Sequence, residues 1–296
     1  MTYSIVARDP ATGRFAVAVQ SHYLGVGPVV PWLEAGVGAV ATQAQVNVSL
    51  GPLGLDLLRN GRSAEEVVAT LVASDAGAAA RQIGVVDREG RAAAFTGPET
   101  IPAAGHEVGD GFSIQGNLLH SPDCWLAMAA AYRAAADQPF TERLLRTLEA
   151  AEATGGDVRG KQSAALIVFA ADLQPAAWQG RLMDLRIEDH PDPIPELRRL
   201  VNLAEAYALL DDAGDAARDG LSEAERYAES RRRAPEAYEL AFWMGVEHAK
   251  RGEIEAARRE LAVAVNADAR WRTTLEHLAA GGREGMTPEL VARLLA

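Results

Sequence analysis

The sequence lacks the residues that mark several classes of protein. Its 296 residues include a single cysteine, Cys124, which excludes an internal disulfide framework. Cys124 lies in an apolar, helix-like stretch, where it is either a small core residue or a reactive thiol. No apolar run approaches about 18 residues, and no basic segment followed by an apolar stretch opens the chain. We therefore expect a cytoplasmic protein without a membrane-spanning helix.

Positive charge and cofactor motifs are also scarce. Lysine and arginine number 29 against 41 acidic residues, and the net charge of −12 argues against nucleic acid and anionic membranes as partners. The basic cluster at 231–233 is either a solvated helix end or a phosphate or partner site. No Gly-x-Gly-x-x-Gly follows a strand, no Walker loop is present, and His22, His106 and His120 lack metal-ligand spacing. We therefore predict no cofactor and no metal.

What the sequence does contain begins with a hairpin. Residues 3–8 read as a strand, the turn at 9–13 combines proline with glycine, and residues 14–21 return as a second strand. Thr2 stands directly before the first strand. If Met1 is removed, Thr2 carries a hydroxyl nucleophile and a free α-amine, and the ordinary pKa of about 7.7–8.0 lets that amine accept a proton near neutral pH. The alternative is that Thr2 only caps an edge strand.

Further strands and helices follow from periodicity and from capping signals. The predicted strands are at 36–44, 82–87, 91–96, 111–117, 164–169 and 182–188. The predicted helices are at 51–59, 63–74, 122–135, 139–153 and from the prolines at 191 and 193 to about 210. Because strands come in hairpins and helices come in pairs, the pattern indicates an α+β fold with segregated layers, not a doubly wound sheet.

From about residue 211 the composition shifts to alanine, glutamate, arginine and leucine. Residues 236–269 fit the tetratricopeptide pattern, with small or apolar residues at the expected positions of a helix–turn–helix repeat: Gly245, Gly252, Ala257, Leu261 and Ala264. The alternative is a plain helical bundle. We predict two domains, 1–210 and 211–296. Since fewer than three repeats rarely bury their own core, we expect the second domain to pack on the first or on a second subunit.

Five segments carry a resemblance to a known family. They are TYSIVARDP at 2–10, GVGAVATQA at 36–44, QGN at 115–117, GKQSAA at 160–165 and DLRIEDHP at 184–191. Through them the sequence resembles the family called domain of unknown function 1028, placed among the N-terminal-nucleophile hydrolases, over roughly residues 2–203. The resemblance implies a four-layer α-β-β-α sandwich and hydrolysis of an amide bond by the N-terminal residue, here Thr2. The family often has lysine where this chain has His22, and this difference affects the expected activity or its pH range.

Five further residues are candidates for a catalytic site around that threonine. Ser21 and His22 end the returning strand; Ser21 can hold the amine or hydroxyl, and His22 can supply charge or move a proton. Asn117, or a backbone N–H of its Gly-Asn corner, can form an oxyanion hole. Asp157 and Lys161 share one glycine-rich loop, from which the lysine can lower the pKa of the amine or hydroxyl. The structural alternatives are polar loop groups, an asparagine in a left-handed turn and a salt-bridged loop.

Three hypotheses of function follow. The first is an amidohydrolase acting on a small amide or peptide-like substrate, in which threonine attacks, its amine moves the proton and water hydrolyses the ester. The second is a non-catalytic protein of the same fold that binds a ligand or partner, with the helical tail as interaction module. The third is a structural subunit of an oligomer. We expect a homo-oligomer, a dimer, that binds neither nucleic acid nor membrane.

Overall fold

The structure is a computed structural model that describes residues 2–210 and 220–296. It divides into two compact units, Met1–Arg198 and Arg199–Ala296. The domain boundary predicted from the sequence, between 210 and 211, adjoins the segment outside the described residues and stays a prediction. Met1, whose loss the nucleophile hypothesis requires, also lies outside the described residues.

The strands of the first unit form two antiparallel sheets. In the described residues they are β1 (Thr2–Arg8), β2 (Phe15–Ser21), β3 (Pro31–Glu34), β4 (Gly38–Ala44), β5 (Arg81–Asp87), β6 (Ala92–Thr96), β7 (Gly105–Gly109), β8 (Phe112–Asn117), β9 (Ser163–Phe169) and β10 (Arg181–Ile187). The six-stranded sheet has the order β10-β9-β2-β1-β8-β7, and the four-stranded sheet has the order β3-β4-β5-β6. β1 is a central strand between β2 and β8, so Thr2 does not cap an edge strand.

Helices cover both sheets of the first unit. They are α1 (Leu50–Arg59), α2 (Ala64–Ser74), α3 (Asp123–Ala134) and α4 (Phe140–Ala153), and α5 (Pro193–Ala208) crosses into the second unit. α1 and α2 pack on the four-stranded sheet, α3 and α4 pack on the six-stranded sheet, and β1 and β2 contact β4 across the space between the sheets. The predicted capping box of α2, between Ser63 and Glu66, is present. The predicted α+β class is confirmed.

The interior between the two sheets is apolar at one end and polar at the other. Successive residues of a strand face opposite sides, so Thr2, Ser4 and Val6 of β1 share the face toward the four-stranded sheet. Around Val6 lies an apolar cluster: Phe15, Val17, Val19, Ala39, Ala41, Val86 and Ala165. Around Ser4 lie buried amides instead: Gln43, Gln82, Gln115 and Asn117. The polar end coincides with the start of β1.

Two strands were not predicted from the sequence. β3 is four residues long and begins with Pro31, and β7 carries His106 and Glu107 at the edge of its sheet. Neither segment has the apolar alternation that marks a half-buried strand. Both strands are held by pairing with a neighbour, β3 with β4 and β7 with β8, which a single segment does not reveal.

The second unit is helical in its described residues. Its helices are α6 (Glu223–Arg233), α7 (Tyr238–Lys250), α8 (Ile254–Ala267), α9 (Arg270–Ala280) and α10 (Pro288–Leu295). One apolar cluster, including Phe242, Leu261 and Leu275, joins α7 to α10. The basic cluster lies in the last turn of α6, where Arg231 pairs with Glu260 at 2.8 Å and Arg233 with Glu229 at 2.7 Å. These ion pairs favour the helix-end interpretation of 231–233.

Two further sequence-based interpretations concern Cys124 and the membrane. Cys124 is fully buried in α3, as a core residue is. Within residues 2–210 and 220–296, no helix combines the length and the apolar character needed to cross a membrane.

Gly84 of β5 tests how tightly the polar end of the interior is packed. A Cβ on Gly84 would lie 2.6 Å from Ser113 Oγ and closer still to Gln115 Oε1. Gln115 cannot move aside without breaking its bond to Ser4 Oγ, at 2.6 Å. We expect Gly84→Ala to lower the free energy of unfolding by about 1–3 kcal/mol, measured by denaturant titration.

The matched control is the same substitution combined with Gln115→Ala. Since the double variant removes the nearer of the two clashing groups, its loss should be smaller than the sum of the single losses. Additive losses would show that Gln115 does not limit the space beside Gly84.

Candidate active site

Three strand ends meet at Thr2. Thr2 is the first residue of β1 and is 5% exposed. Its Oγ1 lies 3.0 Å from the Oγ of Ser21, the last residue of β2, and either oxygen can donate this hydrogen bond. Across the ladder on the other side, Thr2 is paired with Asn117, the last residue of β8. The structure therefore brings the candidates Thr2, Ser21 and Asn117 together.

Two buried amides reach the backbone carbonyl of Thr2. Asn117 Nδ2 and Gln43 Nε2 each lie 3.4 Å from Thr2 O, which accepts both long hydrogen bonds. The same two nitrogens donate to Gln82 Oε1, at 3.0 Å from Asn117 and 2.7 Å from Gln43. Sequence reasoning missed Gln43 and Gln82. The available signal was a glutamine in each of two predicted strands, at 36–44 and at 82–87.

The Gly-Asn corner uses its donors within the protein. Besides the two acceptors of the Asn117 amide, the next backbone N–H groups are engaged: Leu118 N donates to Ile101 O at 2.9 Å and Leu119 N to Ala103 O at 3.1 Å. The residue with a left-handed backbone is Leu118, with φ +48°, and not Asn117. The oxyanion role of this corner stays a prediction, and in this conformation Asn117 holds Thr2.

Asp157 is tied to the backbone next to His22. Its carboxylate accepts from His22 N at 3.0 Å and from Arg159 N at 2.9 Å, and Arg159 Nη2 lies 3.1 Å from Oδ2. The carboxylate is fully buried, while the arginine side chain is 38% exposed. His22 Nδ1 is buried and has no hydrogen-bond partner among the described residues. Asp157 therefore fixes the position of His22 by its main chain and leaves the imidazole to other roles.

Lys161 is held by carboxylates. Its Nζ lies 2.7 Å from Asp192 Oδ1 and 3.3 Å from Glu152 Oε2, the geometry of the salt-bridged loop. The hydrogen bond to Asp192, more than the charge of Glu152, raises the pKa of Lys161 above its usual value. Glu152 also accepts a hydrogen bond from the hydroxyl of Tyr3. The carboxylate of Glu152 thus connects Lys161 to Tyr3, the residue next to Thr2.

Metal-ligating side chains do not converge in the part of the chain that the structure describes. No group of three or more histidine, cysteine, aspartate or glutamate residues lies there in a position to hold a metal ion.

Comparisons with known proteins place this site in a family. The model of a family described as "Family of unknown function (DUF1028)" matches residues 2–197. The chain belongs to this family. A crystal structure of a DUF1028 protein from Silicibacter pomeroyi is similar over 76% of this chain and 97% of its own, with 33% identity and a TM-score of 0.63. The comparison with curated proteins gives no match.

The DUF1028 match contains every candidate residue of the site. It begins at Thr2 and extends past Asp157, Lys161 and Asp192, and it ends within α5. Helices α6 to α10 lie beyond it. The candidate site is therefore part of the family's own fold, and the second unit is an addition to that fold in this chain.

Asp157→Ala tests the buried carboxylate. The substitution leaves the N–H groups of His22 and Arg159 without their acceptor, and an unsatisfied buried group costs about 1–3 kcal/mol. We expect the free energy of unfolding to fall by that amount or more in denaturant titration. The control is Asp192→Ala, which removes an exposed carboxylate from Lys161 and should have a much smaller effect. Equal losses would show that Asp157 has no special structural role.

Tyr3 gives a pH test of the same region. Burial, and then the charge of Glu152, raises the pKa of Tyr3 well above 10.0. Above pH 10 the unfolded chain loses this proton while the folded chain keeps it, so unfolding becomes easier as the pH rises. The contribution of one such group is about 1.4 kcal/mol per pH unit. We expect the free energy of unfolding of Tyr3→Phe to fall less steeply above pH 10 than that of the wild type.

A comparison variant is Tyr132→Phe, since burial raises the pKa of Tyr132 to about 12. Each single substitution should make the free energy of unfolding fall less steeply with pH above pH 10. The double variant should make the fall less steep still. A wild-type slope above pH 10 in Tyr3→Phe would contradict the shifted titration of Tyr3.

Proposed function

We propose that this DUF1028 protein is an amidohydrolase of the N-terminal-nucleophile type. It cleaves a small amide or peptide-like bond through Thr2, once loss of Met1 has freed the α-amine. The observation that carries the proposal is the convergence at Thr2, whose hydroxyl meets Ser21 at 3.0 Å while two buried amides reach its carbonyl. A nucleophile, a base on the same residue and a held backbone are the parts such a mechanism needs.

The layering of the first unit supports the proposal. Helices α1 and α2 lie on one sheet, α3 and α4 lie on the other, and the sheets face each other. We assign this order to the four-layer α-β-β-α sandwich of the N-terminal-nucleophile hydrolases. In that arrangement β1 is a central strand, with β2 on one side and β8 on the other.

The proposed reaction has two steps. In the first, Thr2 Oγ1 attacks the substrate carbonyl carbon, the α-amine takes the hydroxyl proton and passes it to the leaving amine, and an ester forms on Thr2. In the second, the amine takes a proton from water, the hydroxide attacks the ester, and the acid leaves as the threonine oxygen regains a proton. Ser21 stabilises the oxygen of Thr2 in both steps by donating its hydroxyl hydrogen.

The other candidates take supporting roles in this proposal. His22, whose Nδ1 is buried and unpartnered among the described residues, moves a proton or supplies charge. Asp157 fixes the main chain of His22. Lys161 acts indirectly, through its contact with Glu152 and the hydrogen bond between Glu152 and Tyr3. No cofactor takes part in the steps, and the protein is proposed to act in the cytoplasm as a homodimer.

A second candidate function is binding without catalysis, with the helical unit as the interaction module. The observation that favours it is the pairing of α7 and α8, where a Cβ on Gly245 would lie 2.6 Å from Leu261 Cγ. Such close contact at a small residue is typical of a tetratricopeptide-like pair, and stacks of such pairs form concave surfaces that bind partners.

Mass spectrometry and Thr2→Val test the catalytic proposal. We expect the intact mass to lack Met1 and an aliphatic β-lactone to acylate Thr2, because hydroxyl attack opens the strained ring and adds the whole lactone mass. In a panel of N-acyl anilides, Thr2→Val should lower turnover by at least roughly 10³-fold, since it keeps the shape of threonine and removes its hydroxyl.

The matched control is Thr2→Ser, which keeps the nucleophile and should retain turnover. Thermal unfolding of both variants near the wild-type temperature shows that the fold is intact. Retention of Met1 would reject the mechanism and favour the binding function, whereas undiminished turnover by Thr2→Val would reject Thr2 as the nucleophile.

A further inference from the structure

The orientation of three buried amides around Thr2 is fixed by hydrogen-bond chemistry. Gln43, Gln82 and Asn117 are 3% exposed or less. An amide nitrogen only donates and an amide oxygen only accepts, so the partners of one amide decide which way the next one points. Bond lengths alone do not distinguish the two ends of an amide, but the partners here do.

The orientation of the Gln82 amide follows directly from its backbone neighbours. Its nitrogen faces two backbone carbonyls, Gly116 O at 2.8 Å and Gly105 O at 3.0 Å, and Thr96 Oγ1 at 2.9 Å. A carbonyl oxygen only accepts, so the NH₂ end of Gln82 has to lie on this side. Its Oε1 therefore points the other way, toward the two remaining amides.

The oxygen of Gln82 and the nearby backbone carbonyls Thr2 O and Gln115 O require the same orientation of the neighbouring amides. Since Oε1 only accepts, Gln43 and Asn117 both have to present their NH₂ ends to it, at 2.7 and 3.0 Å. Those NH₂ ends are the groups that reach Thr2 O. Gln43 is fixed at its other end as well, because its Oε1 accepts from Ser4 Oγ at 2.7 Å.

The backbone at Thr2 requires such support. The ladder between β1 and β2 begins only at Tyr3, opposite Gln20, while the ladder with β8 reaches Thr2 itself. Thr2 is therefore paired on one side only, and an end residue held in this way frays easily. Two amide donors from the interior supply a second hold on its carbonyl.

We propose that Gln82 is a positioning residue for Thr2, which aims the amides of Gln43 and Asn117 at the Thr2 carbonyl. This role rests on the proposed function. In a chain that begins at Thr2, rotation about the Cα–C bond is the one backbone torsion that moves the α-amine relative to the carbonyl. Holding the carbonyl restricts that rotation and fixes the direction in which Cα carries the amine and the hydroxyl, which move together relative to the carbonyl, toward the substrate. Gln82 itself touches neither the hydroxyl nor the substrate.

The test is Gln82→Met in the full chain, with acylation of Thr2 by an aliphatic β-lactone as the readout. Methionine keeps the length of glutamine and removes the amide. We expect the first-order acylation rate at saturating lactone to fall about 10²-fold, because a small misplacement of reacting groups has effects of that size. The lactone concentration at half saturation and the final labelled fraction should stay unchanged. Loss of folding would instead lower the labelled fraction.

The matched control is Gln20→Met. Gln20 is also fully buried in a strand of the first unit, but neither end of its amide has a hydrogen-bond partner among the described residues. Its substitution should leave the acylation rate within about twofold of the wild type. A folded Gln82→Met protein with the wild-type rate would overturn the positioning role.

Gln43→Met covers the case in which Gln82→Met does not fold. It removes one of the two donors and leaves Gln82 bound to its three acceptors, so the rate should fall by a smaller factor; an unchanged rate would overturn the role. Where both variants fold, the double variant should be no slower than Gln82→Met, since both act by one route. A wild type that the lactone does not label at Thr2 contradicts the proposed function itself, a result distinct from a failure of Gln82 alone.

Discussion

A buried amide costs free energy when its polar atoms lack hydrogen bonds, and the mutually paired amides of Gln43, Gln82 and Asn117 organise the end of the first unit where β1 begins. An unpaired amide in an apolar interior costs about 1–3 kcal/mol, so the network around Gln82 holds together as a set. The other end of the same space, around Val6 and Val17, is filled by alanine, valine and phenylalanine. The fold can therefore close its sheets with apolar residues, and the amides next to Thr2 require a reason other than packing. Holding the first residue of a central strand is one.

Two of the three non-glycine residues with positive φ in the described part of the chain lie at the same place, and the third, Glu284, lies in the second unit. Gln43 is followed by Ala44 with φ +70°, and Asn117 by Leu118 with φ +48°. A residue other than glycine in this left-handed region costs about 1–2 kcal/mol, and such residues persist where surrounding contacts fix them. Both strained residues directly follow an amide that reaches the Thr2 carbonyl. The strain thus lies at two strand ends whose side chains, Gln43 and Asn117, both point to the carbonyl oxygen of Thr2. This location favours a functional origin of the strain over a tolerated defect.

The sequence predicted what is decided locally and missed what depends on pairing across the sheets. The hairpin at the start, the capping box at Ser63 and most strands follow from spacing within a segment. Gln20 and Gln82 look alike in the sequence, each inside a predicted strand. Yet Gln82 lies between the sheets with partners at both ends, whereas Gln20 has none among the described residues. The two glutamines differ in strand register and in the face of the sheet that each side chain occupies. Neither property can be read from a single segment of sequence.

The cations of the candidate site bear on how its chemistry would run. Lys161 is paired with Asp192 and Glu152, and Arg159 with the buried carboxylate of Asp157. A cation already paired with a carboxylate does little to lower the pKa of a nearby hydroxyl, because the two charges largely cancel at a distance. If Thr2 is the nucleophile, its proton has to go to a neutral base, and the α-amine on the same residue is the nearest one. In the proposed reaction, His22, with Nδ1 unpartnered in the described residues, then moves a proton or supplies charge.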